Sequence, residues 1–250
     1  MTKTTMQKMQ KTMKRVGSSA AAAALLAGLS MAAAPTPAAQ AASAATQPDA
    51  PPGFSFAACP APEDLPADAD PGTWRCEAMK ATGRIEIGGI AEDIDRPMAI
   101  TFAEGRVNGE FAQVFGAMKA APIRIGGTPW TITPRYAGYS DFQSNDERRG
   151  ELDLKFTLAG PGLPAGCSIG TDAAAVHLTL TDTDPTHVIS KDPLIVGFGA
   201  EDTRFTAPRT SDCGPLGRAL DRVLQLPSAA GQNSLDLDTQ VVMRQYDDAS

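Results

Sequence analysis

The chain has 250 residues, in which 29 Asp and Glu outnumber 22 Lys and Arg, and aromatic residues make up only 6%. A negatively charged chain repels nucleic-acid phosphates and anionic lipid headgroups, so the composition argues against both as partners. The length is sufficient for one domain with a sizeable core, or for two small ones.

Residues 1–41 have the pattern of a secretory signal peptide. A basic segment without acids comes first, with Lys3, Lys8, Lys11, Lys14 and Arg15. The Ala-rich run at 20–31 that follows is short and weakly apolar for a membrane span. An uncleaved membrane anchor is one alternative, and a start at Met6, Met9 or Met13 is the other. The best cleavage site precedes Ala42, and loss of the five basic residues leaves 17 Lys and Arg against 29 Asp and Glu, a net charge of −12. We therefore expect an exported, acidic protein with no membrane span after cleavage.

Residues 42–53 contain almost no large apolar side chain and read as a flexible linker. The remaining residues, 54–250, are predicted to form a single secreted β-rich domain, with a subdivision near residue 160 as the alternative.

Alternation of polar and apolar residues predicts most of the strands. The predicted strands lie at 84–87, 98–102, 122–125, 130–133, 151–158, 175–181, 193–198 and 235–243, with a brief pairing at 203–206. A break is expected at Asp95-Arg96-Pro97 and a turn at Asp184-Pro185-Thr186. Gly126-Gly127-Thr128-Pro129 predicts a hairpin turn.

Only residues 215–226 have helical spacing, and Pro227 ends that pattern. The expected buried stripe is Leu216, Leu220, Val223 and Leu224, with Asp221 on the opposite, polar face. Many strands with a single helix predict an all-β antiparallel sandwich with one short helix in the C-terminal half.

Four cysteines in an exported chain are expected to form disulfide bonds. Three connectivities are open, and proximity favours Cys59 with Cys76 and Cys167 with Cys213. Loop-closure entropy predicts that these two bonds contribute about 3 and about 4 kcal/mol. No spacing of Cys or His marks a metal site, and no cofactor is expected.

The pentapeptide Gly166 to Gly170 spells G-x-S-x-G, the nucleophile motif of α/β-hydrolases. In those enzymes the serine sits on a turn from a strand to a helix, whereas here a cysteine precedes Ser168 and a strand follows it. A triad of Ser168 or Ser190 with His187 and Asp184 can be written, and His177 is the other candidate base. The pattern favours a structural turn, and no catalytic residue is assigned.

Pairs of acidic residues occur at Glu92-Asp93 with Asp95, and also at 182 with 184, 201 with 202, and 236 with 238. Calcium needs six to eight oxygen ligands, which these pairs alone do not supply, so solvated turn carboxylates are the favoured interpretation. The aromatic residues Trp130, Tyr136, Tyr139 and Phe142 are candidates for a small surface patch, although packing is their more usual role.

The C-terminal half resembles a broad group of exported actinobacterial proteins of unknown function. The motifs are G-C-S-I-G at 166–170, V-H-L-T-L-T at 176–181, F-T-A-P at 205–208 with C-G at 213–214, and L-P-S-A-A-G-Q-N at 226–233. The resemblance covers 163–240, and extends less specifically over 74–158. It implies a secreted β-rich protein with a Cys167–Cys213 bond, and it supplies no catalytic residue.

These observations together predict a secreted, non-catalytic protein that binds an envelope or extracellular partner, such as wall glycan, lipid or another protein. An extracellular hydrolase is the alternative. An apolar groove between the sheets would favour an apolar ligand, whereas a polar cleft that gathers the serines, histidines and an acid would favour the hydrolase.

Overall fold

The computed structural model describes residues 50–247, which belong to one compact unit. The predicted signal peptide and residues 42–49 of the predicted linker lie outside this range. Among the described residues, no helix is long and apolar enough to cross a membrane.

The described residues form an all-β antiparallel sandwich with one short α-helix, which confirms the predicted fold class. The strands are β1 Arg75–Ile87, β2 Ile90–Val107, β3 Glu110–Lys119, β4 Ile123–Arg124, β5 Thr131–Asp141, β6 Gly150–Ala159, β7 Ser168–Ile169, β8 Val176–Lys191, β9 Leu194–Asp202, β10 Thr210–Ser211 and β11 Asn233–Gln245. The α-helix is α1 Gly217–Val223, and 3-10 turns lie at Pro62–Asp64, Pro71–Thr73 and Gly214–Leu216.

Strand β8 joins the two sheets. The first sheet has the order β3-β2-β1-β11-β9-β8, and the second contains β4, β5, β6, β7 and β10. Residues 176–180 of β8 pair with β6, while residues 181–191 pair with β9. On the other side of the sandwich, Phe115 of β3 stacks on Tyr136 of β5 with ring centroids 3.7 Å apart. The sheets are therefore held together along both sides.

The segment before β1 covers the outer face of the first sheet. Phe56 packs on Cys76 and Ala78, and Trp74 is fully buried against Ala103. The Cys59–Cys76 disulfide holds this segment, and Cys167–Cys213 ties β7 to the 3-10 turn before α1. These are the pairs that proximity favours. Two disulfide bonds are typical of extracellular proteins.

The predicted break and the predicted turn both lie within long strands. Ala81 pairs with Met98 and Gly83 with Ile94, so the expected break at 95–97 is a bulge within β2, and that prediction is wrong. The expected turn at 184–186 lies within β8 between register shifts. The 122–133 hairpin is confirmed, with Ile123 opposite Ile132. Residues 203–206 form no strand, and the nearby bridge joins Ala207 to Ser228.

The helix is shorter than predicted, and its polar and apolar faces differ from the expected ones. Val223 is 55% exposed, whereas Asp221 is buried. Asp221 Oδ1 accepts hydrogen bonds from the backbone N–H and the hydroxyl of Thr210, at 2.8 and 2.9 Å. A buried carboxylate needs such donors, and they explain why the helix turns its acidic side toward the strands.

Candidate ligand-binding cavity

A cavity of about 490 Å³ lies between the two sheets. Inward-facing residues of β1, β2, β6, β8, β9 and β11 form its walls. Most are apolar, and the aliphatic ones include Leu152, Leu154, Leu178, Leu180, Leu235 and Leu237. The volume falls within the usual range for ligand pockets. An apolar lining of this kind suits an apolar ligand.

All four methionines of the described residues line this cavity: Met79, Met98, Met118 and Met243. Methionine side chains are flexible and polarizable, so they adapt to ligands of varied shape. Each methionine occupies an inward position of a strand. That shared position could be identified only once the strand register was known.

The lining of the cavity extends in two directions of the first sheet. It runs along β1 from Arg75 to Ala81, and six residue steps of an extended strand span about 20 Å. It also crosses the neighbouring strands β3, β2, β1, β11 and β9, whose spacing of about 4.8 Å gives roughly 19 Å. The cavity therefore lies as a layer between the two sheets.

One end of the cavity, here called the polar end, is lined by Arg75, Glu77 and Glu104, with Gln143 and Ser144 from the loop before β6. Arg75 Nε lies 2.9 Å from Glu77 Oε1, and Arg75 Nη2 pairs with Glu104. The two glutamate side chains are each 12% exposed, whereas Arg75 is 43% exposed. Burial, and then repulsion from Glu104, raise the pKa of Glu77 to about 7, although Arg75 opposes the shift.

The segment of the C-terminal motif lies outside the cavity lining and is held by Asn233. Asn233 Oδ1 accepts hydrogen bonds from Gly88 N and the Ser228 hydroxyl, at 3.0 and 2.6 Å. Its Nδ2 donates to the carbonyls of Phe205 and Ala229, at 2.8 and 3.0 Å. The L-P-S-A-A-G-Q-N segment therefore has a structural role, in which one buried side chain fixes several backbone groups.

No hydrogen bond within residues 50–247 joins the serines, the histidines and Asp184 of the candidate triad, although Asp184 and His187 lie opposite Gly199 and Gly197 of β9. Ser168 is buried and donates its hydroxyl hydrogen bond to the Gly170 carbonyl at 2.7 Å. His177 is exposed with Nδ1 2.7 Å from Asp153 Oδ1, and His187 Nδ1 lies 3.2 Å from the Pro185 carbonyl. None of these residues, nor Ser190, lines the cavity.

The acidic pairs and the aromatic residues have separate contacts. Glu92 accepts a hydrogen bond from Gly126 N, and Asp93 pairs with Arg84. Asp202 is buried, where its carboxylate accepts from Thr179 N and Arg204 N. Within residues 50–247, no group of three or more Asp, Glu, His or Cys is arranged to hold a metal.

The four aromatic residues also have different partners, so they form no common patch. Tyr136 stacks on Phe115, and Phe142 packs on Phe102 with ring centroids 4.7 Å apart. The Tyr139 hydroxyl lies 2.9 Å from Glu151 Oε2, and Trp130 donates to the Pro161 carbonyl.

Comparison with protein-family models, with curated proteins and with solved structures finds no match for this chain.

Proposed function

We propose that this protein is an exported, non-catalytic binding protein that takes the hydrocarbon chain of a ligand between its two sheets. The observation that carries the proposal is the cavity of about 490 Å³, which lies between the two sheets and is lined mainly by aliphatic, methionine and phenylalanine side chains. Export is supported by the basic and Ala-rich N-terminal sequence and by the two disulfide bonds. The resemblance to exported actinobacterial proteins agrees with a place in or outside the cell envelope. The alternative, a hydrolase, would need hydrogen bonds between the candidate serines, His187 and Asp184, and none is found among the described residues.

The test uses a neutral fluorescent probe, N-phenyl-1-naphthylamine, whose emission rises in apolar surroundings. The purified mature protein should bind it saturably. Ala81 and Ala200 both line the cavity, so Ala81→Leu and Ala200→Leu each place three more carbons in the space. We expect either change to weaken probe binding by about tenfold or more. Because the added groups enter open space, unfolding stability should be unchanged or raised by up to about 2 kcal/mol.

Ala91→Leu is the matched control, since Ala91 is exposed on β2 and does not line the cavity. Probe adsorbed on the surface is a separate concern, because Val188, Ile189 and Leu194 are 53%, 46% and 49% exposed near the tip of the β8–β9 hairpin. Ile189→Ser should leave saturable binding intact. Binding that survives both cavity changes but disappears in Ile189→Ser would contradict the proposal.

A further inference from the structure

The polar end of the cavity holds two glutamates around one arginine. Glu77 Oε1 is paired with Arg75, and Glu104 binds both Arg75 and the amide of Gln113, whose Nε2 lies 3.2 Å from Glu104 Oε2. The second oxygen of Glu77 receives no hydrogen bond from an N–H group or a hydroxyl of residues 50–247, and the carboxyl group of Glu104 is its close neighbour. A donor on a ligand at this end of the cavity could therefore bind to Glu77.

The other arginine that lines the cavity already has a partner. Arg149 Nε and Nη2 lie 2.5 and 2.9 Å from the two carboxylate oxygens of Asp182, and its guanidinium sits 4.3 Å from the Phe198 ring centroid. Arg149 is therefore neutralised by Asp182, and at the polar end the single cation Arg75 faces two carboxylates, those of Glu77 and Glu104. With all three groups ionised, this end carries one excess negative charge.

We propose that the ligand is an amphiphile whose polar group donates hydrogen bonds to Glu77, with a primary amine favoured over an alcohol and a free fatty acid disfavoured. The inference rests on the proposed function, because the hydrocarbon chain must first occupy the cavity. An ammonium group would neutralise the excess charge and donate to the free oxygen of Glu77. A ligand carboxylate would add a third negative charge where little water screens it.

The affinity for a ligand should depend on pH, and the direction of the change should differ between an amine and a fatty acid. Burial and Glu104 raise the pKa of Glu77 to about 7, so the protonated form is populated near neutral pH. A bound ammonium favours the ionised form. Affinity for the amine should therefore rise between about pH 6 and about pH 8, whereas affinity for a fatty acid should fall. Arg75 and Glu104 are the other charged groups that line this end. A chain-matched alcohol carries no charge, so its affinity should not follow either trend.

The experiment displaces bound N-phenyl-1-naphthylamine with dodecylamine, dodecan-1-ol and dodecanoate, each below its critical micelle concentration. These share one chain and differ only in the polar group. At about pH 8 we expect the amine to bind at least about tenfold more tightly than the fatty acid, with the alcohol between them. Glu77→Gln should bring the amine-to-acid affinity ratio close to one. Glu77→Asp, which keeps the charge, should retain part of the preference.

Glu86→Gln is the matched control. Glu86 lies on the same strand, pairs with Arg84 Nε at 3.1 Å as Glu77 pairs with Arg75, and lies outside the cavity. The amine-to-acid affinity ratio of Glu86→Gln should equal that of the wild type. Equal or tighter binding of dodecanoate, or a ratio that persists in Glu77→Gln, would overturn the polar-group inference while probe binding still supports the cavity. If no amphiphile displaces the probe and the cavity changes have no effect, the proposed function itself fails.

Discussion

Replacing Glu77 by Gln should change how stability depends on pH. The pKa of Glu77 is raised from an ordinary 4.5 to about 7, with burial as the main cause and Glu104 as the second. A carboxyl whose pKa is raised in the folded state binds protons there that the unfolded chain has already lost. Stability from this group is therefore fully present below about pH 4.5 and is lost as pH rises through about 7.

The size of the effect follows from the shift. One pKa unit corresponds to 1.36 kcal/mol, so the difference between 4.5 and about 7 is worth about 3 kcal/mol. The Glu77 side chain is only 12% exposed, so solvent screening reduces this figure little. A glutamine does not titrate. We therefore expect the variant to gain about 3 kcal/mol relative to the wild type between about pH 4.5 and about pH 8.

The measurement is urea unfolding of the wild type and Glu77→Gln across that pH range, with disulfides intact. Taking the difference between the two proteins at each pH cancels the titration of all other groups. Glu86→Gln serves again as the control, because an exposed ion pair contributes little and its curve should run parallel to the wild type. Parallel curves for Glu77→Gln, or a relative gain toward acid pH, would refute the reasoning.

Three further predictions concern residues that the sequence singled out. Cys59→Ser and Cys167→Ser should lower the free energy of unfolding by about 3 and about 4 kcal/mol, measured by urea unfolding, since the bonds close loops with sequence separations of 17 and 46. Ser168→Ala should cost about 1 kcal/mol, the usual value of one buried hydrogen bond, and should leave probe binding unchanged; loss of binding in a folded variant would reopen the hydrolase reading. Asn233→Ala leaves several buried backbone groups without partners and should lower the unfolding free energy by about 3 kcal/mol or more, whereas a loss under about 1 kcal/mol would contradict the structural role.

Strands with one solvated face were predictable from sequence, and strands buried on both faces were not. In β6 the buried residues alternate with partly exposed ones, as the alternation at 151–158 predicts. The first half of β1 has no such contrast, because Cys76 and Ala78 lie under the N-terminal segment while Met79 and Ala81 face the cavity. Alternation of polar and apolar residues no longer marks a strand where other segments cover its second face, because apolar residues then occupy both faces.

The polar end of the cavity could not be predicted from the sequence, for a different reason. Glu77 looks like an ordinary outward residue between Cys76 and Ala78, and only the register of β1 with β2 places it beside Glu104. That register depends on the bulge at 95–97, which the sequence showed only as a break. Side chains that are distant in sequence are brought together by pairing, and composition alone does not determine pairing.

The cavity and the buried carboxyl group of Glu77 both lower the stability of the fold. The apolar side chains that line a space of about 490 Å³ lack the packing contacts that a filled core would give them. An ionised Glu77 adds a further cost that a glutamine would avoid. Leucine at Ala81 and glutamine at Glu77 are simple changes that would reduce both costs, so a sequence shaped by stability alone would favour them. A ligand that fills the space restores stability through its binding free energy. Both features are therefore consistent with the amphiphilic ligand that we propose.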